Sequence, residues 1–154
     1  MTKEAVIVST ARTPIGKAYR GAFNDTDAPT MGGHAIAAAV ERAGIDPGEV
    51  DDVVIGCAMQ QGSSGYNIGR TAGVAAGLPS SVAGMSMDRQ CASGMMAIAT
   101  AAKQIISDGM PIVVAGGLES ISLVSNEHRN TYRTQDPNVI AKSQHAYISM
   151  IETA

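Results

Sequence analysis

Four short apolar runs alternate with longer segments of helical periodicity, and this alternation restricts the possible folds more than any other feature. The runs are AVIVSTA at 5–11, VVIGC at 53–57, VAGMSMD at 82–88 and IVVA at 112–115. Strands that are buried on both faces of a parallel sheet have this composition. The order β-α-β-α-β-α-β therefore predicts an α/β fold, with a mostly parallel sheet and flanking helices joined by right-handed crossovers.

Between these runs, apolar residues recur at the 3.6-residue spacing of an amphipathic helix. Glycines stand where each periodic segment stops, as they often do just after the last helical residue. An asparagine before the second segment suits the first position of a helix, because its side chain can accept a backbone N–H. The pattern predicts helices from about Met31 to residue 43, from Asn67 to about residue 76, and from near Cys91 to about residue 108.

The regular pattern ends near Ser120. Residues 125–146 are polar and aperiodic, and a long segment without periodicity is unusual inside a compact domain. We therefore expect an N-terminal α/β domain at 1–120, followed by the truncated start of an inserted loop domain at 121–154.

Composition excludes several classes of function. The chain has 154 residues, of which 45% are hydrophobic and 16% are charged, so a folded globular domain is expected. A net charge of −3 offers no basic face for nucleic acid or for an anionic membrane. No apolar run approaches the roughly 18 residues of a membrane span. The start has no pattern of a secretion signal, which favours a cytoplasmic location and reduced thiols.

The histidines and cysteines do not suggest a metal site. There is no C-x-x-C pair, and the three histidines lack the spacing of zinc ligands. His34 is expected on the surface of a helix, and His128 and His145 are expected in solvent. The glycine-rich stretch at 61–67 has neither the dinucleotide-binding nor the phosphate-binding spacing.

Cys91 is the candidate nucleophile. It lies between a predicted strand and a long predicted helix, so its thiol is expected near a helix N-terminus, where unpaired N–H groups favour negative charge. Such a position raises the thiolate fraction of a cysteine, and a thiolate exchanges acyl groups with thioesters. The N–H of Cys91 could also donate to the carbonyl oxygen of the acyl group. The alternative is that Cys91 is a buried small apolar residue.

The neighbours of Cys91 and the second cysteine have simpler interpretations. Ala92, Ser93 and Gly94 are small, so we expect them to leave room for a substrate above the first helical turn. Arg89 could add positive potential near the thiol, or form a solvated pair with the preceding aspartate. Cys57 lies in an apolar run and is expected to be packed and unreactive.

Four segments resemble the thiolase family, in the order and with the approximate spacing that the family shows. They are VIVSTARTPIGK at 6–17, GCAMQQGSSGYNIGRTAGVAAGLP at 56–79, CASGMMAI at 91–98 and AGGLESIS at 115–122. The sequence SMIETA at 149–154 extends the resemblance more loosely. The resemblance implies a five-layered α-β-α-β-α fold made of two similar halves, of which this chain is an incomplete N-terminal one.

The resemblance also implies a reaction. Cys91 would take an acyl group from acyl-CoA and pass it to a second acyl-CoA carbanion or to free CoA. The partners are then acyl-CoA and CoA, with the CoA thioester as substrate and no separate cofactor. The family forms dimers or tetramers, so a homo-oligomer is expected, with 82–88 at a contact between chains. The family's activating histidine and second cysteine lie in motifs outside these 154 residues, which are expected to be inactive alone.

Two residues near the end match the family less surely. Met150 corresponds to a methionine beside the pantetheine of CoA. Ser149 stands where many members have a histidine, which points away from the simple biosynthetic acetoacetyl-CoA enzymes. The long loop at 18–30 also favours a degradative branch.

Two rival functions remain open at the level of sequence. One is a condensing enzyme of the ketoacyl-synthase type, which takes acyl groups from acyl carrier protein. The other is a half without catalytic activity that only pairs with a partner.

Overall fold

The computed structural model describes residues 3–154, and its centre is a sheet of three parallel strands. These are β1 (Asp52–Gly56), β2 (Ala83–Met87) and β3 (Val113–Gly117), in the order β2-β1-β3. Every residue of the central strand β1 is buried. The predicted α/β fold with a parallel sheet is confirmed.

The long helices cover both faces of this sheet. They are α1 (Ala28–Ala43), α2 (Ile68–Ala75) and α3 (Ser93–Lys103), the last continuing into a wider π-helical turn at Gln104–Asp108. Val53 and Ile55 of β1 belong to the apolar core with α1 and α2. Because side chains alternate along a strand, Gly56 faces the opposite side, where α3 begins. The sheet therefore lies between α2 and α3.

Local sequence signals set the helix ends. Asn67 accepts the N–H of Arg70 at 3.2 Å and begins α2 as predicted. Gly44 and Gly109 adopt left-handed backbone angles, with φ of 68° and 80°, and end their helices as predicted. Helix α1 begins three residues before the predicted start, because Pro29 is accommodated in its first turn.

The prediction of a strand at 5–11 is wrong. This segment has no regular structure, and Val6, Ile7 and Val8 are 70–77% exposed. The segment lines a cavity of about 820 Å³ together with β3, and it forms no strand pairing with any of residues 3–154. A β-branched run forms a strand only where a neighbouring backbone can pair with it.

The C-terminal part has little contact with the sheet. It contains three short helices, α4 (Ile121–Val124), α5 (Pro137–Lys142) and α6 (Met150–Thr153). Every residue from 127 to 154 is exposed. The N–H of Asn130 donates to Gln61 Oε1 at 3.0 Å and ties this segment to the rest of the chain. A domain boundary near residue 120 stays a prediction.

Within residues 3–154, we find no helix whose length and apolar character would allow it to cross a membrane.

Candidate functional site

The loops that follow the three strands meet at one edge of the sheet. All three strands are parallel, so their carboxyl ends lie side by side, which is where α/β proteins commonly bind ligands. Backbone hydrogen bonds continue past the strand ends: the N–H of Cys57 donates to Met87 at 2.9 Å, and that of Leu118 to Gly56 at 3.1 Å. The loops after β1, β2 and β3 are thereby held next to one another.

Cys91 lies in the turn after β2, immediately before α3. Its side chain is exposed, and α3 begins at Ser93 with Ala92 as the preceding cap residue. The first N–H groups of a helix have no partner within that helix, and its N-terminus carries partial positive charge. The structure therefore places Cys91 where its sequence position predicted, with the thiol open to solvent.

The charged neighbours of Cys91 do not form a pair. The Asp88 carboxylate accepts the N–H of Gln90 at 2.7 Å, so it closes the turn locally. Arg89 is exposed and has no ion pair within the described residues. The expected solvated pair of Asp88 and Arg89 is therefore not observed within the described residues.

Two glycines let the start of α3 approach the sheet closely. A Cβ atom at Gly56 would overlap the carbonyl carbon of Ser93, and one at Gly117 would lie 2.9 Å from the Cα of Gly94. The first turn of α3 therefore contacts the ends of β1 and β3 backbone to backbone. Sequence reasoning gave these glycines no role of their own, although a glycine at the end of each of two strands is a signal of such an approach.

Cys57 has the opposite environment. It follows β1, is 1% exposed, and its Sγ lies 3.5 Å from Glu119 Oε1. Burial, then the negative charge of Glu119 and the hydrogen bond to it, raise the pKa of the Cys57 thiol to about 11. The thiol is therefore neutral near pH 7. The expectation that Cys57 is packed is confirmed, and its lack of reactivity stays a prediction.

Glu119 is a residue that the sequence analysis did not single out. Its carboxylate accepts the N–H groups of Ala58 at 2.9 Å and Met59 at 3.2 Å, in addition to the Cys57 thiol. It follows β3, so it joins the loop after β3 to the loop after β1. A carboxylate next to a strand end was the available signal, but its partners lie about 60 residues away in the chain.

Met150 and Ser149 lie in the exposed C-terminal segment. Met150 is 76% exposed. Ser149 caps α6: its hydroxyl donates to Glu152 Oε2 at 2.9 Å and accepts the N–H of the same residue at 3.2 Å. The N–H of Ser149 donates to Glu152 Oε2 at 2.8 Å, and this bond, followed by the one from the hydroxyl, holds the pKa of the Glu152 carboxyl below its ordinary value. The structure gives neither residue a hydrogen bond to the turn of Cys91, and their predicted role stays a prediction.

The histidines and the large cavity lie apart from this turn. His34 is exposed on α1, and His128 lies 3.6 Å from Glu127 in the C-terminal segment. No group of three or more potential metal ligands occurs among residues 3–154. The cavity of about 820 Å³ is lined mainly by apolar residues of 5–18, α1, α3 and β3, and Cys91 is not part of its lining.

Comparisons with known proteins agree on one family. The model of the thiolase N-terminal domain matches residues 5–152. The 3-ketoacyl-CoA thiolase of Bacillus subtilis is 39% identical over 154 residues, which is 99% of this chain and 38% of that protein. An acetyl-CoA acetyltransferase of Rhizobium meliloti is 42% identical over 118 residues, 77% of this chain and 30% of that protein.

A comparison with solved structures also finds an acetyl-CoA acetyltransferase. The crystal structure of the Bacillus anthracis acetyl-CoA acetyltransferase matches with a TM-score of 0.73 at 38% identity, over 86% of this chain and 34% of that one. The chain thus spans only about a third of the length of the proteins that it resembles.

Proposed function

Because the chain belongs to the thiolase family and matches its N-terminal domain, we propose that it supplies the acyl-accepting cysteine of a CoA-dependent acyltransferase. Cys91 is that cysteine. The observation that carries the proposal is the position of its exposed thiol, directly before the N-terminus of α3. The 3-ketoacyl-CoA thiolase and acetyl-CoA acetyltransferase relatives support a CoA thioester as the substrate.

The first half-reaction needs only a thiolate and a stabilised oxyanion. The thiolate sulfur of Cys91 attacks the thioester carbonyl carbon, and the electron pair of the C=O bond moves to oxygen. The partial positive charge at the N-terminus of α3 then stabilises the negative charge that develops on oxygen. When the tetrahedral intermediate collapses, the bond to the CoA sulfur breaks and CoA leaves as a thiolate. The acyl group has thereby moved from the CoA thioester to a thioester of Cys91.

The second half-reaction needs groups that the described residues do not place at Cys91. Forming a C–C bond requires a base to remove a proton from the second acyl-CoA, and thiolysis requires a base for the thiol of CoA. The histidines of residues 3–154 lie on α1 or in the C-terminal segment. We therefore propose that the 154 residues alone accept an acyl group without turnover.

Met150 and Ser149 remain proposed contacts of the pantetheine arm. The segment that carries them is exposed throughout, so it is open to a bound CoA molecule. Ser149 in place of the histidine of many members supports a substrate other than acetoacetyl-CoA. We place the enzyme in cytoplasmic fatty acid metabolism on the basis of its resemblance to 3-ketoacyl-CoA thiolases.

We propose further that the chain self-associates. Met95, Ile98 and Ile106 are 47–76% exposed on α3 and the turn that follows it, and the outer edges of β2 and β3 have no strand partner within residues 3–154. Apolar patches and open sheet edges both favour association. Light scattering should give a mass above 15.8 kDa that rises with concentration. A constant mass of one chain would contradict this proposal, and a contact map with β2 wholly in solvent would contradict the expected contact at 82–88.

Acetyl transfer to the protein tests the main proposal. The chain is incubated with acetyl-CoA, and intact mass spectrometry followed by peptide mapping locates any acetyl group. We expect one acetyl group on Cys91, none on the Cys91→Ala variant, and an unchanged result for the Cys57→Ala control. Acetylation of Cys57, or of neither cysteine, would refute the proposal. Acetylation from an acetylated carrier protein but not from acetyl-CoA would favour the ketoacyl-synthase alternative.

A further inference from the structure

The turn that carries Cys91 contains a strained residue. Gln90, which directly precedes Cys91, has a φ of 50°, in the left-handed region that residues other than glycine rarely occupy. Such residues persist only where the surrounding structure holds them, and they are common at functional sites. Something in the turn must therefore fix the backbone on both sides of Gln90.

Ser93 is placed to do this. It was expected to leave room for a substrate, but it is only 4% exposed, with its hydroxyl directed back into the turn. Its Oγ accepts the N–H of Arg89 at 2.8 Å and donates to the carbonyl oxygen of Gln90 at 2.6 Å. One hydroxyl thus bonds backbone groups on both sides of the Gln90 Cα, so a rotation of Gln90 out of the left-handed region would break these bonds.

The backbone of Ser93 is itself held in place. Its N–H donates to the carbonyl oxygen of Gln90 at 3.0 Å, and its carbonyl group packs directly on Gly56 at the end of β1. The contact with β1 fixes the position of the hydroxyl relative to the sheet. Its two hydrogen bonds then fix the position of the turn.

We propose that Ser93 is a positioning residue that holds Cys91 at the N-terminus of α3. Its hydroxyl fixes the strained Gln90, and the fixed turn keeps the Cys91 sulfur beside the first N–H groups of the helix. This inference rests on the proposed role of Cys91 as the acyl-accepting thiol, and it adds the residue that sets the thiol's position.

The test compares the labelling rates of both cysteines in the same sample. Iodoacetamide is added to the wild type and to Ser93→Ala, and peptide mapping follows Cys91 and Cys57 over time. Without the hydroxyl, the sulfur of Cys91 loses its fixed place at the helix N-terminus, so we expect its labelling to slow about two- to fivefold. Labelling of Cys57 reports opening of the fold and should remain unchanged.

Two further variants separate positioning from general destabilisation. Ser93→Thr keeps the hydroxyl and should restore the rate of Cys91. Ser86→Ala is the matched control, because the Ser86 hydroxyl on β2 bonds Asn67 Oδ1 at 3.2 Å, outside the turn. It should leave the Cys91 rate as in the wild type. An unchanged Cys91 rate in Ser93→Ala would overturn the proposal, and so would a Ser93→Thr rate as low as that of Ser93→Ala.

The outcomes also distinguish this inference from the proposed function. If acetyl-CoA does not acetylate wild-type Cys91, the proposed function fails. If it does, and Ser93→Ala labels like the wild type, only the role of Ser93 fails. Should Ser93→Ala not fold, amide hydrogen exchange in the wild type decides the question. A protected Arg89 amide supports the bond to Ser93, and an amide that exchanges at the rate of an open loop overturns it.

Discussion

The loop after β1 and the turn after β2 each present a cysteine at the same edge of the sheet, and the two cysteines are in opposite states. Cys57 is 1% exposed and lies beside the Glu119 carboxylate. Cys91 is exposed and lies at the start of α3. Both thiols follow a parallel strand, so their position at the strand ends does not explain the difference.

The difference comes from the charge that lies beside each thiol. After β1, the N–H groups of Ala58 and Met59 donate to Glu119, and the negative charge of that carboxylate opposes ionisation of the adjacent thiol. After β2, the chain enters α3 within two residues of Cys91, so this residue lies next to the positive end of a helix. Reactivity at a strand end thus depends on whether a carboxylate or the N-terminus of a helix lies beside the thiol.

The largest expected effect is the loss of the contact between α3 and β1. In Gly56→Ala, the new methyl group overlaps the backbone of Ser93, so α3 must move or the fold must open. We expect a loss of about 3 kcal/mol of unfolding free energy, at the upper end for overpacking. Urea denaturation measures this loss, and both cysteines should then label at similar rates.

A matched control is available in β3. A Cβ atom at Gly116 meets no atom within 4 Å, so Gly116→Ala should keep nearly all of the stability and the difference between the cysteines. Equal stability of the Gly56 and Gly116 variants would contradict the close approach of α3 to β1.

A smaller effect is expected from Glu119→Gln. The change removes the charge beside Cys57 and replaces one acceptor oxygen by an NH₂ group, which cannot accept the N–H that now bonds it. Hydrogen bonds to a charged group contribute about 2 kcal/mol each, so we expect the free energy of unfolding to fall by roughly that amount. Urea denaturation checks it, and the labelling of Cys57 should accelerate while that of Cys91 does not.

Glu127→Gln is the control for the loss of one negative charge, because Glu127 is exposed and is paired only with His128 within the described residues. A stability loss as large in this variant as in Glu119→Gln would show that overall charge, and not the loop after β1, is responsible.

The smallest effect is a pH dependence that comes from Cys57. Its pKa is about 11 in the folded chain against an ordinary value of 9.0, so the folded state binds the proton more tightly than the unfolded state. Its contribution to stability is complete below pH 9 and is lost as the pH rises from 9 towards 11. We expect wild type to lose about 1 kcal/mol more than Cys57→Ala between pH 9 and pH 10, the first unit of this interval. Parallel stability curves for the two proteins would disprove the pKa shift.

The sequence was sufficient for the parts of the fold that depend on local pattern. The runs at 53–57, 82–88 and 112–115 predicted the three strands to within two residues, and the glycines and Asn67 marked helix ends through their own backbone preferences. Cys91 was placed before a helix for the same reason, because a strand pattern ended and a helical one began around it.

The parts that depend on distant partners were not predictable. The run at 5–11 has the composition of a strand, but pairing requires a neighbouring edge that the sequence does not reveal. The bond between Glu119 and Cys57 joins residues that are 62 positions apart and leaves no periodic pattern. Ser93 was expected to leave room for a substrate, but it is buried. Its burial follows from the contact of its backbone with Gly56, which lies 37 positions earlier and leaves no local pattern.

Limited alkylation of the native wild-type chain tests the central contrast most directly. The folded protein is treated at pH 7 with less iodoacetamide than one equivalent of thiol, and peptide mapping measures the label on each cysteine. The account predicts that nearly all of the label is on Cys91, because Cys57 is buried and neutral beside Glu119. Equal labelling of the two cysteines, or preferential labelling of Cys57, would contradict it.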